Sequence, residues 1–133
     1  MFLKFMGKRH LRKRGVAVVI RQGRVLLVKD KGKSKFSLPG GGVHEKERSF
    51  QAAARELHEE TGLKARKVTY IGSFNGAVSY HKAFLVVAEG DVHLKSHHEK
   101  GGGELTSYIW WDMQSPLPVY QHVKSILGMI KVK

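Results

Sequence analysis

The stretch that decides the fold is residues 41–63, which read GGVHEKERSFQAAARELHEETGL. Its second half, from Phe50 to Thr61, is rich in alanine, glutamate and leucine, which are strong helix formers. Ser49 is a suitable N-cap residue, and Gly62 is the residue type that most often ends a helix. The pattern therefore predicts a helix over residues 50–61 that follows a glycine-rich turn.

Three carboxylates share one face of this predicted helix. Residues three and four positions apart lie on the same side of a helix, so Glu56, Glu59 and Glu60 project together. Carboxylates at this spacing repel one another unless something positive lies between them, and Mg²⁺ or Mn²⁺ prefers oxygen ligands. The glycines at 40–42 let the backbone approach a ligand closely. The residues therefore indicate a divalent-cation site that acts on phosphate groups.

The charge distribution supports this interpretation. The chain has 133 residues and a net charge of +13, from 24 lysines and arginines against 11 acids. Such a field attracts polyanions, including nucleotides and nucleic acid. Five of the 11 acids nevertheless fall within residues 45–60. A solvated helix face is the plain alternative for such a cluster, but the spacing of the carboxylates favours a site.

The composition excludes several classes of protein and site. There is no cysteine, so disulfides, thiolate metal sites and a cysteine nucleophile are excluded. No apolar run approaches the roughly 20 residues needed to cross a bilayer. We therefore expect a soluble, cytoplasmic protein with no membrane contact. The length suits one domain over residues 1–133, whose basic segment 1–14 is either a binding arm, an edge strand or a frayed terminus.

The rest of the chain predicts alternating strands and helices. Two apolar runs, 16–20 and 25–28, flank Gln22-Gly23 and predict a hairpin of buried strands. Further strands are expected at 68–74, 83–88 and 109–111, a polar loop at 91–104, and a final helix at 119–130. This order predicts an α+β fold, an α/β/α sandwich with a mixed sheet between two helices.

Residues 41–63 also resemble the Nudix box, G-x5-E-x7-R-E-U-x-E-E-x-G-U, where U is a bulky aliphatic residue. Every fixed position is matched, by Gly41, Glu47, Arg55, Glu56, Leu57, Glu59, Glu60, Gly62 and Leu63. The resemblance implies the Nudix fold and Mg²⁺-dependent hydrolysis of a diphosphate linkage in a nucleoside diphosphate derivative. The substrate would be a nucleoside triphosphate or a dinucleoside polyphosphate, and Mn²⁺ is a possible substitute for Mg²⁺.

The resemblance also implies roles for individual residues. Glu56, Glu59 and Glu60 would bind the metal ions, and Arg55 would pair with Glu47 to orient these carboxylates. Gly41 and Gly62 would shape the turns at the two ends of the helix, and Leu57 and Leu63 would anchor it in the core. The family commonly needs one more acid from a later loop. Glu99 is the first candidate and Glu104 the second, with a solvated loop carboxylate as the alternative for each.

Other residues are candidates for holding the substrate. The backbone of Gly40 and Gly41 would approach the phosphates, and the basic loop before them carries Lys29, Lys33 and Lys35. An exposed basic loop is the alternative for any one of these lysines. Tyr80 lies 17 residues beyond Leu63, a distance that resembles the diadenosine-polyphosphate subgroup, although packing also explains a single strand aromatic. Trp110 and Trp111 should point to opposite faces of their strand, with core packing as the default.

Two other functions remain open from the sequence. One is removal of pyrophosphate from RNA 5′ ends, in which the positive charge would guide the RNA backbone. The other is a non-catalytic Nudix-fold domain that binds nucleotide or nucleic acid. The oligomeric state is not indicated.

Overall fold

The structure is a computed structural model that describes residues 12–94 and 105–131. The elements are, in chain order, β1 (Arg12–Val18), β2 (Ile20–Arg21), β3 (Arg24–Asp30), β4 (Gly40–Gly42), α1 (Ser49–Thr61), β5 (Lys64–Asn75), β6 (Ser79–Glu89), β7 (Leu105–Trp111) and α2 (Gln121–Lys131). Neither helix in this part of the chain has the length and apolar character needed to cross a membrane.

The strands form two sheets. The larger has the order β4-β1-β6-β5, in which β1 and β6 run parallel and the other neighbours run antiparallel. The smaller has the order β2-β3-β7 and is antiparallel. The expected mixed sheet is therefore confirmed, and a second, smaller sheet accompanies it.

A helix covers each face of the sheets. Side chains alternate between the faces of a strand, and along β1 Val16 and Val18 pack in the same cluster as Val123 and Ile126 of α2. The intervening Ala17, followed by Val19 just after the strand, joins the cluster that contains Ala53 and Leu57 of α1. This division of the core between two helices confirms the predicted α/β/α sandwich.

The predicted hairpin of two buried strands is wrong in most of its length. Residues 16–18 belong to β1 in the larger sheet, where they pair with β4 and β6. The chain then passes into the smaller sheet, and only Ile20 and Arg21 of β2 pair with β3, around the turn at Gln22-Gly23. The physical reason is that β1 gains two partners from distant parts of the chain, which a local pattern cannot reveal.

Helix α1 begins one residue before its predicted start. Arg48, not Ser49, is the N-cap, and its backbone N–H donates to the side chain of Gln51 at 2.8 Å. Gly62 ends the helix as predicted, with φ of 82° and its N–H donating to the carbonyl of His58 at 2.8 Å. This left-handed backbone is one that glycine adopts without steric cost. The helix is therefore fixed at both ends.

The other predicted elements are present with different limits. Strands β5 and β6 are longer than the predicted ranges 68–74 and 83–88, because they pair with each other along most of their length. Helix α2 starts at Gln121, since Val119 is still in an extended bridge with Phe36. The predicted loop 91–104 is described only as far as residue 94, where it has no regular structure.

Candidate active site

Arg55 is the centre of an ion-pair network at the start of the site. Its Nε and Nη2 donate to the two carboxylate oxygens of Glu47 at 2.8 and 3.0 Å, and Nη2 also donates to the Gly42 carbonyl at 3.0 Å. Its Nη1 lies 3.0 Å from Glu56 and 3.2 Å from Glu59. Hydrogen bonding to Arg55 lowers the pKa of Glu47 to about 2, and the same bonds raise the pKa of Arg55. The guanidinium thus ties the loop before α1 to two of the helix carboxylates.

Glu56 and Glu60 form a buried acidic pair. They are 4% and 8% exposed, respectively. Burial, followed by the neighbouring charge of Glu56, raises the pKa of Glu60 well above its usual range. The backbone N–H of Gly40 donates to Glu60 at 3.3 Å. A side chain at Gly41 would collide with the carboxylate of Glu56, so any residue other than glycine there requires this carboxylate to move.

This donor set fits a hard divalent cation. Two buried carboxylates that resist simultaneous ionisation gain most from a cation, which would allow both to be charged. The third acid, Glu59, has a side chain that is one third exposed. In the described ranges no three His, Asp or Glu side chains are already arranged around one point. Glu56 and Glu59 instead face the Arg55 guanidinium, whose Nη1 donates to both carboxylates.

Arg14 lies in the field of the same acids, although no motif in the sequence marks it as a site residue. It is a half-buried residue of β1, and burial, together with the nearby Arg12, lowers its pKa. The charges of Glu60, Glu56 and Asp30 act in the opposite direction and raise it. Asp30 is at the end of β3 and is likewise not marked by a motif. These residues come from β1, β3 and α1, and only the tertiary fold brings them together.

Beyond Arg14 lies a stack of ring side chains. His81 and His122 are stacked with centroids 4.8 Å apart, and Tyr120 is stacked on His122 at 5.9 Å. Burial lowers the pKa of both histidines to about 4, and the charge of Arg14 contributes to each shift. His81 is 9% exposed, and its Nδ1 is buried without a hydrogen-bond partner in the structure. Both rings are therefore neutral at neutral pH.

The basic loop before β4 reaches this stack. Lys35 Nζ lies 5.8 Å from the Tyr120 ring, and Lys29 Nζ lies 5.8 Å from the Phe36 ring. The backbones of Phe36 and Tyr120 are also joined, since the N–H of Tyr120 donates to the Phe36 carbonyl at 3.0 Å. The expected substrate-binding lysine Lys35 is thus adjacent to aromatic rings that were not expected as site residues.

The other residues that the sequence suggested as site residues lie in separate parts of the fold or outside the described residues. Tyr80 pairs with Lys13 and Asn75 near the start of β6, on the opposite face of that strand from His81. Lys33 is in the turn after β3, where its N–H donates to the Asp30 carbonyl. Trp110 and Trp111 pack on opposite sides of β7, as predicted. Glu99 and Glu104 lie outside the described residues.

The chain is similar to proteins of one family. A family model described as NUDIX domain matches residues 11–126. An RNA pyrophosphohydrolase of Haemophilus influenzae (strain PittEE) is 41% identical over 54 residues, which cover 41% of this chain and 28% of that protein. The 8-oxo-dGDP phosphatase NUDT18 of Danio rerio is 27% identical over 119 residues, which cover 87% of this chain and 36% of that protein.

A solved structure has the same fold. The crystal structure of a MutT NUDIX hydrolase from Burkholderia pseudomallei matches with a TM-score of 0.73 at 22% identity, over 92% of this chain and 99% of that one. The matches to the two curated relatives, in contrast, span only about a third of each relative's length.

Proposed function

This chain belongs to the Nudix hydrolase family, and from that premise we propose that it hydrolyses a diphosphate linkage in a nucleoside diphosphate derivative. The observation that carries the proposal is the acid network of α1. Arg55 joins Glu47, Glu56 and Glu59, and the buried Glu60 lies beside Glu56. Burying carboxylates costs free energy unless they are paired or bind a cation, so the buried Glu56 and Glu60 support a chemical role.

Glu56, Glu59 and Glu60 would hold Mg²⁺, with Mn²⁺ as a substitute, and Glu99 or Glu104 would add a further acid. When bound, such an ion polarises a phosphoryl group and lowers the pKa of water. Other side chains position the metal-binding carboxylates and bind the substrate. Arg55 fixes the positions of the carboxylates, which is a positioning role.

Two cationic side chains, Arg14 and Lys35, would bind the substrate's phosphates. Arg14 lies in the field of Glu56 and Glu60, and Lys35 lies beside the Tyr120 ring. In the reaction, water adds to one phosphorus and the bridging P–O bond breaks, which leaves two phosphate ends. Arg14 and Lys35 would stabilise the negative charge that develops on the phosphoryl oxygens. The backbone N–H groups of the glycine turn would contribute in the same way.

The rings next to Arg14 support a nucleoside as the attached group. Tyr120 is the partly exposed end of a neutral stack that continues through His122 to the buried His81, and planar bases bind to such a ring by stacking. The stack is on the α2 side of the sheet, as is Arg14. Arg14 is close both to the carboxylates and to His81. One substrate molecule would therefore place its diphosphate near the carboxylates and its base on the stack.

RNA with a 5′ triphosphate is the second candidate substrate. The net charge of +13 and the local identity to an RNA pyrophosphohydrolase favour it. A third candidate function, a binding domain without turnover, is opposed by the complete set of box glutamates.

Phosphate release with Mg²⁺ tests these alternatives. The panel contains nucleoside triphosphates, oxidised triphosphates, dinucleoside polyphosphates, ADP-ribose and 5′-triphosphorylated RNA, each also assayed with Mn²⁺ and with EDTA. We expect metal-dependent turnover of at least one nucleoside substrate. Turnover of the RNA alone would select the second candidate. No turnover on any substrate, together with intact nucleotide binding, would refute the enzymatic proposal and support the binding domain.

A further inference from the structure

A groove lies on the α1 side of the larger sheet, away from the ring stack. Along β6, Lys82 and Phe84 point to the α1 side, whereas His81 and Ala83 point to the α2 side. The groove has a volume of about 650 Å³ and runs between the loop before α1 and the strands β5 and β6. Its principal lining residues are Lys13, Lys46, Arg48, Lys82, Phe50 and Tyr70.

The walls of the groove are positively charged. Four cationic side chains line it, against two acids, Glu45 and Glu47. Glu47 already has its charge compensated by the two-point pair with Arg55. The excess of cations over acids therefore favours binding of a polyanion. The affinity should fall as the ionic strength rises, because the cations are at the surface.

Aromatic rings are exposed between these charges. Tyr70 is 54% exposed and Phe50 is 44% exposed, although both are large apolar side chains. Tyr70 is supported from beneath by the buried Phe84, whose ring centroid lies 5.6 Å away at an interplanar angle of 59°. Rings held open to solvent beside cations are the combination that binds single-stranded nucleic acid, because bases stack on the rings and phosphates contact the cations.

We propose that this groove binds a single-stranded polynucleotide. Glu47 contributes one wall of the groove and, through Arg55, also contacts the acid network. A strand in the groove would contact Glu47, whose partner Arg55 contacts two of the carboxylates that the proposed function assigns to hydrolysis. This inference rests on the proposed function for the role of the carboxylates, and it extends the substrate from single nucleotides to the ends of nucleic-acid chains.

Fluorescence anisotropy tests the groove without any hydrolysis. The probes are labelled single-stranded RNA and DNA of about ten nucleotides with a 5′ hydroxyl, titrated without divalent ions. The variants are Lys13→Gln with Lys82→Gln, and Tyr70→Ala. The control is Lys67→Gln, which removes one lysine charge, half of that removed by the double variant, from an exposed position of β5 that does not line the groove.

We expect the double lysine variant to weaken binding at least tenfold and to reduce the salt slope by about 0.7 for each cation removed. Tyr70→Ala should weaken binding by about 5-fold to 100-fold, the range found for loss of a stacking ring. Lys67→Gln should bind as the unaltered chain does. Tighter binding of RNA than of DNA would identify RNA as the ligand of the groove, and tighter binding of DNA would identify DNA.

Unchanged binding by the groove variants, or an equal loss with Lys67→Gln, would overturn the proposal. Equal affinity for a duplex of the same length would also overturn it, because stacked base pairs cannot reach the rings. Thermal unfolding of each variant checks the fold, which these exposed and half-exposed positions should not disturb. The probes contain no diphosphate, so their binding is measured independently of hydrolysis. The proposed function could therefore fail while the groove still binds the probes.

Discussion

Arg55 and Glu47 are joined at two points, with Nε 2.8 Å from one carboxylate oxygen and Nη2 3.0 Å from the other. The same guanidinium uses Nη1 to contact Glu56 and Glu59. A planar guanidinium can serve three carboxylates in this way, whereas a lysine ammonium lacks the fixed fork of donors. The position of the α1 carboxylates thus depends on a loop residue eight positions before Arg55 in the chain.

Glu47→Gln should reduce both stability and turnover. The substitution leaves a half-buried arginine without its principal partner, and such losses cost about 1–3 kcal/mol of unfolding free energy. We expect kcat to fall more than KM rises, because the carboxylates lose their orientation. Urea denaturation and steady-state kinetics measure the two effects. Glu45→Gln, at an exposed neighbouring position, is the control, and an equal effect there would contradict the role of the pair.

Gly41→Ala should disturb the acidic pair directly. A Cβ at this position would collide with the carboxylate of Glu56, which must then move. We expect a loss of at least tenfold in kcat and a lower unfolding temperature. Gly128→Ala in α2 is the matched control, because a Cβ there meets nothing within 4 Å and alanine favours a helix by about 1 kcal/mol. Full activity of Gly41→Ala would show that Glu56 is not required in its present position.

Acid should weaken the fold through the stacked histidines. The pKa of His81 and His122 is about 4 in the folded chain and 6.5 for the unperturbed side chain. The unfolded chain therefore binds more protons between these values, so the contribution of these two histidines to the unfolding free energy is present above 6.5 and is lost as the pH drops from 6.5 to 4. One histidine accounts for at most roughly 3 kcal/mol.

Denaturation of His122→Phe over the same pH range isolates this contribution. The variant keeps a ring in the stack but cannot be protonated, so its unfolding free energy should depend less on pH than that of the unaltered chain. His93→Gln, at an exposed position outside the ring stack, should retain the full dependence. Parallel pH curves for the unaltered chain and His122→Phe would show that the histidines do not carry the effect.

Tyr120→Ala should weaken binding of the base without affecting the diphosphate chemistry. Loss of a stacking ring costs about 1–3 kcal/mol per base, so KM for a nucleoside substrate should rise by about 5-fold to 100-fold. A diphosphate ester without a base, if it is turned over, should show an unchanged KM. Equal KM values for the variant and the unaltered chain on the nucleoside substrate would exclude the stack as the base site.

The site elements that lie close together in the chain could be predicted, and those joined by tertiary pairing could not. Residues 41–63 predicted the helix, its glycine stop and the contact between Arg55 and Glu47, all of which are present. These features depend on spacing within one helix and one turn. The metal and substrate roles of the box residues remain predictions.

Arg14, His81 and His122 show why the rest was missed. Arg14 and His81 are neighbours only because β1 runs parallel to β6, although 67 residues separate them in the chain. His122 reaches His81 from α2 by packing. The prediction of a hairpin was wrong for the same reason, since β1 pairs with the distant strands β4 and β6 and not with the strand that follows it. Hydrophobic pattern fixes which residues are buried, but not which strands pair.

The most direct test of the account is the Mg²⁺-dependent rate of Glu59→Gln on the best substrate of the panel. The substitution removes one carboxylate charge at nearly constant volume from a side chain that is one third exposed, so the fold should be retained. We predict a fall in kcat of at least a hundredfold, with an unfolding temperature close to that of the unaltered chain. Normal Mg²⁺-dependent turnover by Glu59→Gln would contradict the assignment of the α1 carboxylates as the catalytic centre.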